Sequence, residues 1–392
     1  MIIATTSYKN LFLIFALSIL LLATNTFGQD IEIYVSDAGN FSSPPWKILK
    51  FDENGENPEI FIDTVLAWPQ DIVFLEDQQV VLISNLNSGR ITKYNSSTGE
   101  YIGNFATGIA GPTRMKIGAD SLLYVVQWSG NGKVRRYQLN GTFVGEFTNV
   151  GVPQSIGLDW DSIGNLYVSS YSGDNVRKFD MNGNDLGLFV TVNLAGPTNI
   201  WFDANGDLLV SDYDGTAVKR FNSNGVFQNN FATGLSQSEG VDFFSNGNIL
   251  IGNGATHSVK MFDSNGVYIE EFIPNGSGDL MTPNAVVIRK SNPVSVDDES
   301  SINNFEFNLN QNYPNPFNPS TKISWQSPVA GWQTLKIIDV IGREVETLVD
   351  EFRGAGFNSI FYTVNSTLPS GIYFYQLKAG SYTQTNKMVY LK

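Results

Sequence analysis

Gly196 to Phe231 reads GPTNIWFDANGDLLVSDYDGTAVKRFNSNGVFQNNF, and most of the 392-residue chain is variation on this stretch. A proline opens an apolar run, FDANGD turns, LLVSD follows, and after a loop come VKRF, an NSNG turn and a fourth run ending at Phe231. Apolar residues alternate with others or run together over about four to six positions, bounded by Gly, Asn or Asp, as short strands do. Asn205-Gly206 and Asn224-Gly225 supply the φ > 0 positions of tight hairpins. One unit is therefore a four-stranded antiparallel meander.

The unit repeats. The glycine of the last hairpin falls at Gly55, Gly99, Gly141, Gly183, Gly225 and Gly266, in steps of 44, 42, 42, 42 and 41. An opening proline falls at Pro69, Pro112, Pro153, Pro197 and Pro283, with Ser238 in its place in the unit that lacks one. An aromatic precedes each last turn at Phe51, Tyr94, Tyr137, Phe179, Phe221 and Phe262. A period in the low forties with four strands per unit predicts propeller blades, which bury both faces only by packing in a ring. The array enters at IEIYVSD (Ile31 to Asp37), which matches a second strand, and leaves at PNAVVIRK (Pro283 to Lys290), which matches a first. Pairing the two completes a blade and removes the open edge. The expectation is six blades over residues 29–290 with three-plus-one closure.

The flanking segments differ. Residues 1–28 hold a lone Lys9, the apolar run Leu11 to Ala23 and a short polar end, the make-up of a secretory signal peptide with cleavage expected after Gly28. That run is short of the ~20 residues a spanning helix needs, and no later stretch suits a transmembrane span in the mature chain. The chain has no cysteine, which removes disulfides, thiolate metal sites and cysteine nucleophiles. A formal charge of −14 argues against nucleic acid, whose phosphates require Lys and Arg. Residues 291–304 (SNPVSVDDESSINN) read as a polar, acidic linker. From 305 to 392 the period ends, and runs such as TKISW, TLKIIDV, FNSIFYTV and GIYFYQLKAG predict an immunoglobulin-like β-sandwich of about seven strands. The whole chain is expected to be all-β.

Two resemblances follow. NYPNPFNPSTKISW (Asn312 to Trp325), LKIIDVIGREVETLV (Leu335 to Val349) and LPSGIYFYQLKAGSYTQTNKMVYLK (Leu368 to Lys392) closely resemble the type A C-terminal sorting domain of type IX secretion substrates. The matching motif positions are Asn312, Tyr313, Pro314, Asn315, Pro316, Phe317, Asn318 and Pro319, then Gly342, Arg343 and Gly371. The resemblance implies a Gram-negative source of the Bacteroidetes–Ignavibacteria kind. It also implies the type IX machinery as partner, and a mature protein that is secreted or held on the outer cell surface. The repeats, on DANGDLLVSDYDGTAVKRFNSNG and DSIGNLYVSSYSGDNVRKFDMNG, resemble the NHL and regucalcin/gluconolactonase-like six-bladed propellers, a likeness specific for fold and not for activity.

The inter-blade and second-to-third loops are the longer and more varied, so their face is the one free to bind. Residues following each opening proline should ring the channel mouth there: Gln70 and Asp71, Thr113 and Arg114, Gln154 and Ser155, Thr198 and Asn199, Glu239, and Asn284. Around them fall Trp68 and the loop aromatics Phe41, Trp46, Trp128, Tyr171 and Tyr213. A polar ring rimmed by flat aromatics suits a glycan or peptide. The same groups could instead solvate a water-filled channel and pack between blades. The leading expectation is thus a non-catalytic binding module without a cofactor. The alternative, from the gluconolactonase-like resemblance, is a divalent-metal-dependent lactonase-type hydrolase holding calcium through Glu239 with help from Asn199 and Asp71. The other ring positions, Gln70, Thr113, Gln154 and Thr198, supply no carboxylate. His257 is the one histidine, and no acid or nucleophile is marked beside it, which also argues against the histidine chemistry of the similar streptogramin lyases. The D-x-N-G turns at Asp180 and Asp263 resemble calcium loops but lack the distal Glu, and read as hairpins. No phosphate-binding glycine motif is present.

Overall fold

A computed structural model describes residues 30–291, 307–327, 331–353, 356–364, 368–380 and 382–392. The expected leader (1–28) and the expected linker (291–304), apart from Ser291, lie outside the described residues.

Six four-stranded antiparallel sheets follow one another. Five are consecutive meanders. The first comprises β4 (Pro69–Leu75), β5 (Val80–Asn85), β6 (Arg90–Asn95) and β7 (Tyr101–Thr107). The second comprises β8 (Pro112–Ile117), β9 (Leu123–Gln127), β10 (Arg135–Tyr137) and β11 (Phe143–Glu146), and the third β12 (Ser155–Trp160), β13 (Leu166–Ser170), β14 (Asn175–Phe179) and β15 (Asp185–Val190). The fourth comprises β16 (Pro197–Phe202), β17 (Leu208–Asp212), β18 (Ala217–Phe221) and β19 (Phe227–Thr233), and the fifth β20 (Ser238–Phe243), β21 (Ile249–Asn253), β22 (Ser258–Phe262) and β23 (Tyr268–Ile273). The sixth joins the ends: β24 (Pro283–Ser291) lies beside β1 (Asp30–Asp37), followed by β2 (Lys47–Phe51) and β3 (Glu59–Ile62). The closing pair is in register with Ile31 opposite Lys290 and Val35 opposite Val286. The three-plus-one closure of a six-bladed propeller is what the sequence predicts.

The core lies between blades. Six apolar clusters each span two adjacent sheets; in one, Tyr34, Ile48 and Ile62 of the closing blade meet Ile72, Val81 and Tyr94 of the first. The aromatics before the last turns, from Phe51 to Phe262, are all buried within them. The periodic glycines have a second task besides turning. A Cβ built on Gly55, Gly99, Gly141, Gly183, Gly225 or Gly266 would fall 2.0–2.4 Å from a phenylalanine carbonyl oxygen of the preceding blade, and all six have φ between 71° and 93°. For Gly183 that carbonyl is Phe147, and Gly183→Ala combines left-handed backbone strain with overpacking. It should cost roughly 2–4 kcal/mol in urea unfolding. Gly206→Ala, at φ 81° with open space around it, should cost only about 1 kcal/mol. Equal losses would show that the inter-blade approach is not what holds the period. The Asp180 and Asp263 turns are hairpins, with each carboxylate accepting backbone N–H groups two and four residues on.

One landmark is displaced. Pro69, Pro112, Pro197 and Ser238 pair with Asn85, Gln127, Asp212 and Asn253, but in the third blade the residue in that place is Ser155, opposite Ser170. Pro153 lies two residues earlier, in the loop. Gln154 therefore shares the place of Trp68, Gly111, Gly196 and Gln237, and all five adopt φ between 47° and 69°. The reason is contact. The Thr113 hydroxyl donates to the Ser155 carbonyl at 2.7 Å, and the Gln127 N–H donates to the Ser155 hydroxyl, which fixes Ser155 against the neighbouring blade.

The C-terminal strands β25 (Asn308–Leu309), β26 (Ser320–Ser327), β27 (Gly331–Ile338), β28 (Glu344–Arg353), β29 (Gly356–Thr363), β30 (Gly371–Ala379) and β31 (Tyr382–Tyr390) form two sheets. Their orders are β25-β26-β29 and β28-β27-β30-β31. One core fills the space between them, built from Trp325, Ile323, Tyr362, Leu335, Ile337, Tyr375, Leu377 and Met388 among others. Seven strands in two layers match the expected sandwich. Among the described residues, no helix is long and apolar enough to cross a membrane.

Candidate functional site: the channel and its mouth

Each blade's first strand starts at the mouth of the channel, so its second and third residues lie at the mouth end. Not all face the channel: the Thr113 and Thr198 hydroxyls donate to the Ser155 and Ser238 carbonyls of the next blade, and a Cβ on Gly157 or Gly240 would meet the next blade's backbone. In blade order the second residues are Gln70, Thr113, Ile156, Thr198, Glu239 and Asn284, and the third are Asp71, Arg114, Gly157, Asn199, Gly240 and Ala285. The Arg114 guanidinium crosses the ring and joins four of these positions. Its Nη1 donates to the Gln70 carbonyl at 2.6 Å and meets Asp71 Oδ1 at 3.3 Å. Its Nη2 donates to the Asn284 carbonyl at 2.5 Å and meets Glu239 Oε1 at 3.5 Å. Asp71 Oδ2 accepts the Met115 N–H at 2.7 Å. The Gln70 amide is best assigned with its nitrogen toward Glu239 Oε1 at 3.2 Å and its oxygen receiving the Trp68 indole N–H and the Asn284 amide.

All these side chains are buried except Trp68, which is half-buried. Burial raises the Asp71 carboxyl above its ordinary value despite Arg114, and pushes Glu239 up to about 7, with Asp71 adding to the rise. Two carboxylates thus share one cation in a site shielded from water. Breaking such an arrangement costs more than the pair contributes, because a bare buried charge remains.

Sequence reasoning placed Gln70, Asp71, Arg114, Asn199, Glu239 and Asn284 in one ring, and the structure brings Gln70, Asp71, Arg114, Glu239 and Asn284 into one bonded network. Asn199 faces the channel beneath it. Gln154 is not brought into this network; it stands in the loop ahead of its strand.

The aromatics divide into two groups. Trp128, Tyr171 and Tyr213 each follow the end of a second strand in three successive blades. They form an arc, with ring centres 5.6 Å apart at 42° and then 5.9 Å apart at 74°. The Tyr171 hydroxyl donates to Asp214 at 2.9 Å; burial first and Asp214 second hold it up at about 12. Glu239 also acts electrostatically on Tyr171 and Tyr213, which places the arc beside the plugged mouth. Across the mouth Phe41 packs on Trp68 at 5.1 Å, while the Trp46 indole N–H is bonded to the Phe41 carbonyl. His257 closes a short turn, its ring nitrogen bonded to the Met281 carbonyl.

The sequence reading stopped at the strand starts and missed the interior. Two residues further along lies another inward ring: Val73, Lys116, Asp159, Trp201, Asp242 and Val287. The period of two along a strand was the available signal. A cavity of about 400 Å³ runs from Arg114 past this ring to Ile117 and Phe243, which are exposed.

In the sandwich, the motif segment is tied to β31. Asn312 is buried; its N–H donates to the Tyr375 hydroxyl, and its amide nitrogen donates to Thr321 and the Pro314 carbonyl. Phe317 is buried, with its N–H on the Val389 carbonyl, and Asn315 accepts the Val389 N–H. Tyr313, Pro314, Pro316, Asn318 and Pro319 face solvent. Gly342 turns at φ 82°, its neighbour Arg343 pairs with Asp339 at 2.8 Å, and Gly371 opens β30.

Residues 311–391 match the family model described as a secretion system C-terminal sorting domain. No curated protein matches the chain. Among solved structures, the chain is similar to one from a nidogen/laminin complex, at 16% identity and TM-score 0.54, covering 68% of this chain and 100% of that one. It is likewise similar to a protein of unknown function from Bacteroides caccae, at 16% identity and TM-score 0.52, covering 66% of this chain and 98% of that one. A putative gluconolactonase aligns at 13% identity and TM-score 0.46 over 61% of this chain and 90% of its own. The first two support the propeller fold alone. The sorting domain makes this an exported protein, handled by the type IX machinery and delivered to the cell surface or beyond in Bacteroidetes-like bacteria.

Proposed function

We propose that the exported propeller is a ligand-binding module, with a glycan or peptide engaged at the mouth face by the Trp128–Tyr171–Tyr213 arc and by Trp68 opposite. Residues 1–28 act as the leader that starts its export. The observation that carries this reading is Arg114. Its guanidinium stands between Asp71 and Glu239, the two carboxylates on which a metal-dependent hydrolase would draw. A calcium ion there would have to displace a buried, multiply bonded cation, and among the described residues no three His, Asp or Glu groups converge to hold a metal. The donor set does not fit the ion. What the mouth still offers outward is half-buried aromatic surface from three neighbouring blades, with half-buried Gln154 bonded through its backbone to both Trp128 and Tyr171. Such surface stacks on sugar rings or on peptide side chains.

The test is a glycan and peptide array probed with the full chain, followed by titration of hits. Trp128→Ala should weaken binding about tenfold, as expected for a lost aromatic contact of ~1.4 kcal/mol, with no effect of EDTA. Lactone hydrolysis lost in Glu239→Gln and dependent on a divalent ion would overturn the reading.

A further inference from the structure

The cavity behind Arg114 is a separate place from the mouth. Its roof is Arg114, Asp71 and Asn199, and its walls include Val73, Lys116, Trp201, Asp242 and Val287. Charge is unevenly settled here. Lys116 Nζ is engaged by Asp159 at 2.6 Å, and Arg114 by Asp71 and Glu239. Asp242 has only backbone donors, the Phe243 N–H at 2.8 Å and the Ile288 N–H at 2.7 Å. Among the described residues no Lys or Arg is in ion-pair contact with it; Lys116 acts on it only from a distance. Around the channel, Asp71, Asp159, Glu239 and Asp242 face two cations, Arg114 and Lys116. Each Asp242 oxygen takes one of these bonds and has acceptor capacity left. Beside it stands the Trp201 indole, edge-to-face with Phe243 at 5.7 Å.

We propose that this cavity binds a small alkylammonium ion, with its charged head on Asp242 and its hydrocarbon body against Val73, Trp201 and Val287. An unmatched carboxylate beside an aromatic and an aliphatic wall is complementary to a cation that is itself partly apolar. A bare metal ion is a poor match, because one carboxylate already bonded to two amides leaves too few oxygens for its coordination shell. Anions face the excess of carboxylates. Burial holds the Asp242 carboxyl up at about 6, as expected of a charge that lacks its counter-ion.

The experiment is calorimetric titration of the full chain with n-butylammonium chloride, with sodium butyrate and n-butanol as comparators. Saturable butylammonium binding is expected, at least tenfold weaker in Asp242→Asn and absent in Val73→Phe, which fills the cavity without changing a charge. Both variants are first checked for a wild-type-like unfolding transition; Val73→Phe keeps the test open if Asp242→Asn fails to fold. Butyrate and butanol should give no saturable signal. Binding unchanged in either folded variant, equal binding of butyrate, or no butylammonium binding at millimolar concentration would overturn the proposal. The result is independent of the mouth: Trp128→Ala should leave butylammonium binding as it was.

Discussion

Replacing Arg114 with methionine should destabilise the protein by about 3–5 kcal/mol at pH 8, the usual cost of removing one partner from a buried ion network. The size follows from what is left behind. Asp71 and Glu239, both buried, lose their shared cation, and the carbonyls of Gln70 and Asn284 lose their donor. Acidity changes the cost in a definite direction. In the native protein Glu239 sits at about 7, above the ordinary carboxyl value of 4.5. The folded state therefore binds more protons between those values, and Glu239's contribution to stability falls as pH rises from 4.5 to 7, then levels off. Without Arg114 both carboxyls rise further, so the variant should recover part of its loss at pH 5. Urea unfolding at pH 5 and pH 8 measures this. A loss under 1 kcal/mol, or one that grows as pH falls, would contradict the network.

Removing the closing strand, residues 283–291, should abolish the monomeric propeller altogether. β24 is the partner of β1, and its Val286 belongs to the cluster joining the closing blade to the fifth. Its Ala285 belongs to the cluster on the other side. Without it, β1 presents an unpaired edge, which invites strand exchange or aggregation. Size-exclusion chromatography should show oligomers or aggregate in place of monomer, with the wild-type unfolding transition gone. A monomer that melts like wild type would mean that the ring closes some other way.

Much of this architecture is legible in the sequence, because it depends on local chemistry repeated six times. The Gly55-to-Gly266 series is visible since each member needs positive φ and no Cβ, and the buried aromatics from Phe51 to Phe262 hold the same register. The front and back fragments declare closure because each matches one strand of the unit. Pro153 misled by two residues, for a proline in a loop looks like a proline opening a strand until the partner of Ser155 is known. The Arg114 network was beyond sequence reasoning for a different reason. Its members, from Gln70 to Asn284, come from three inner strands and the closing one, and only the ring's radius decides which of them touch. The inner ring of Lys116, Trp201 and Asp242 was open to strand alternation, but the cavity it lines depends on how the first strands of six different blades converge.

The most direct test of the account is a calcium titration of the full wild-type chain by calorimetry, repeated with Glu239→Gln. With Arg114 already neutralising the mouth, no calcium binding that depends on Glu239 is expected, and ligand binding at the aromatic arc should proceed in EDTA. Saturable calcium binding that vanishes in Glu239→Gln would show that the guanidinium yields to a metal, and the binding-module reading would fall.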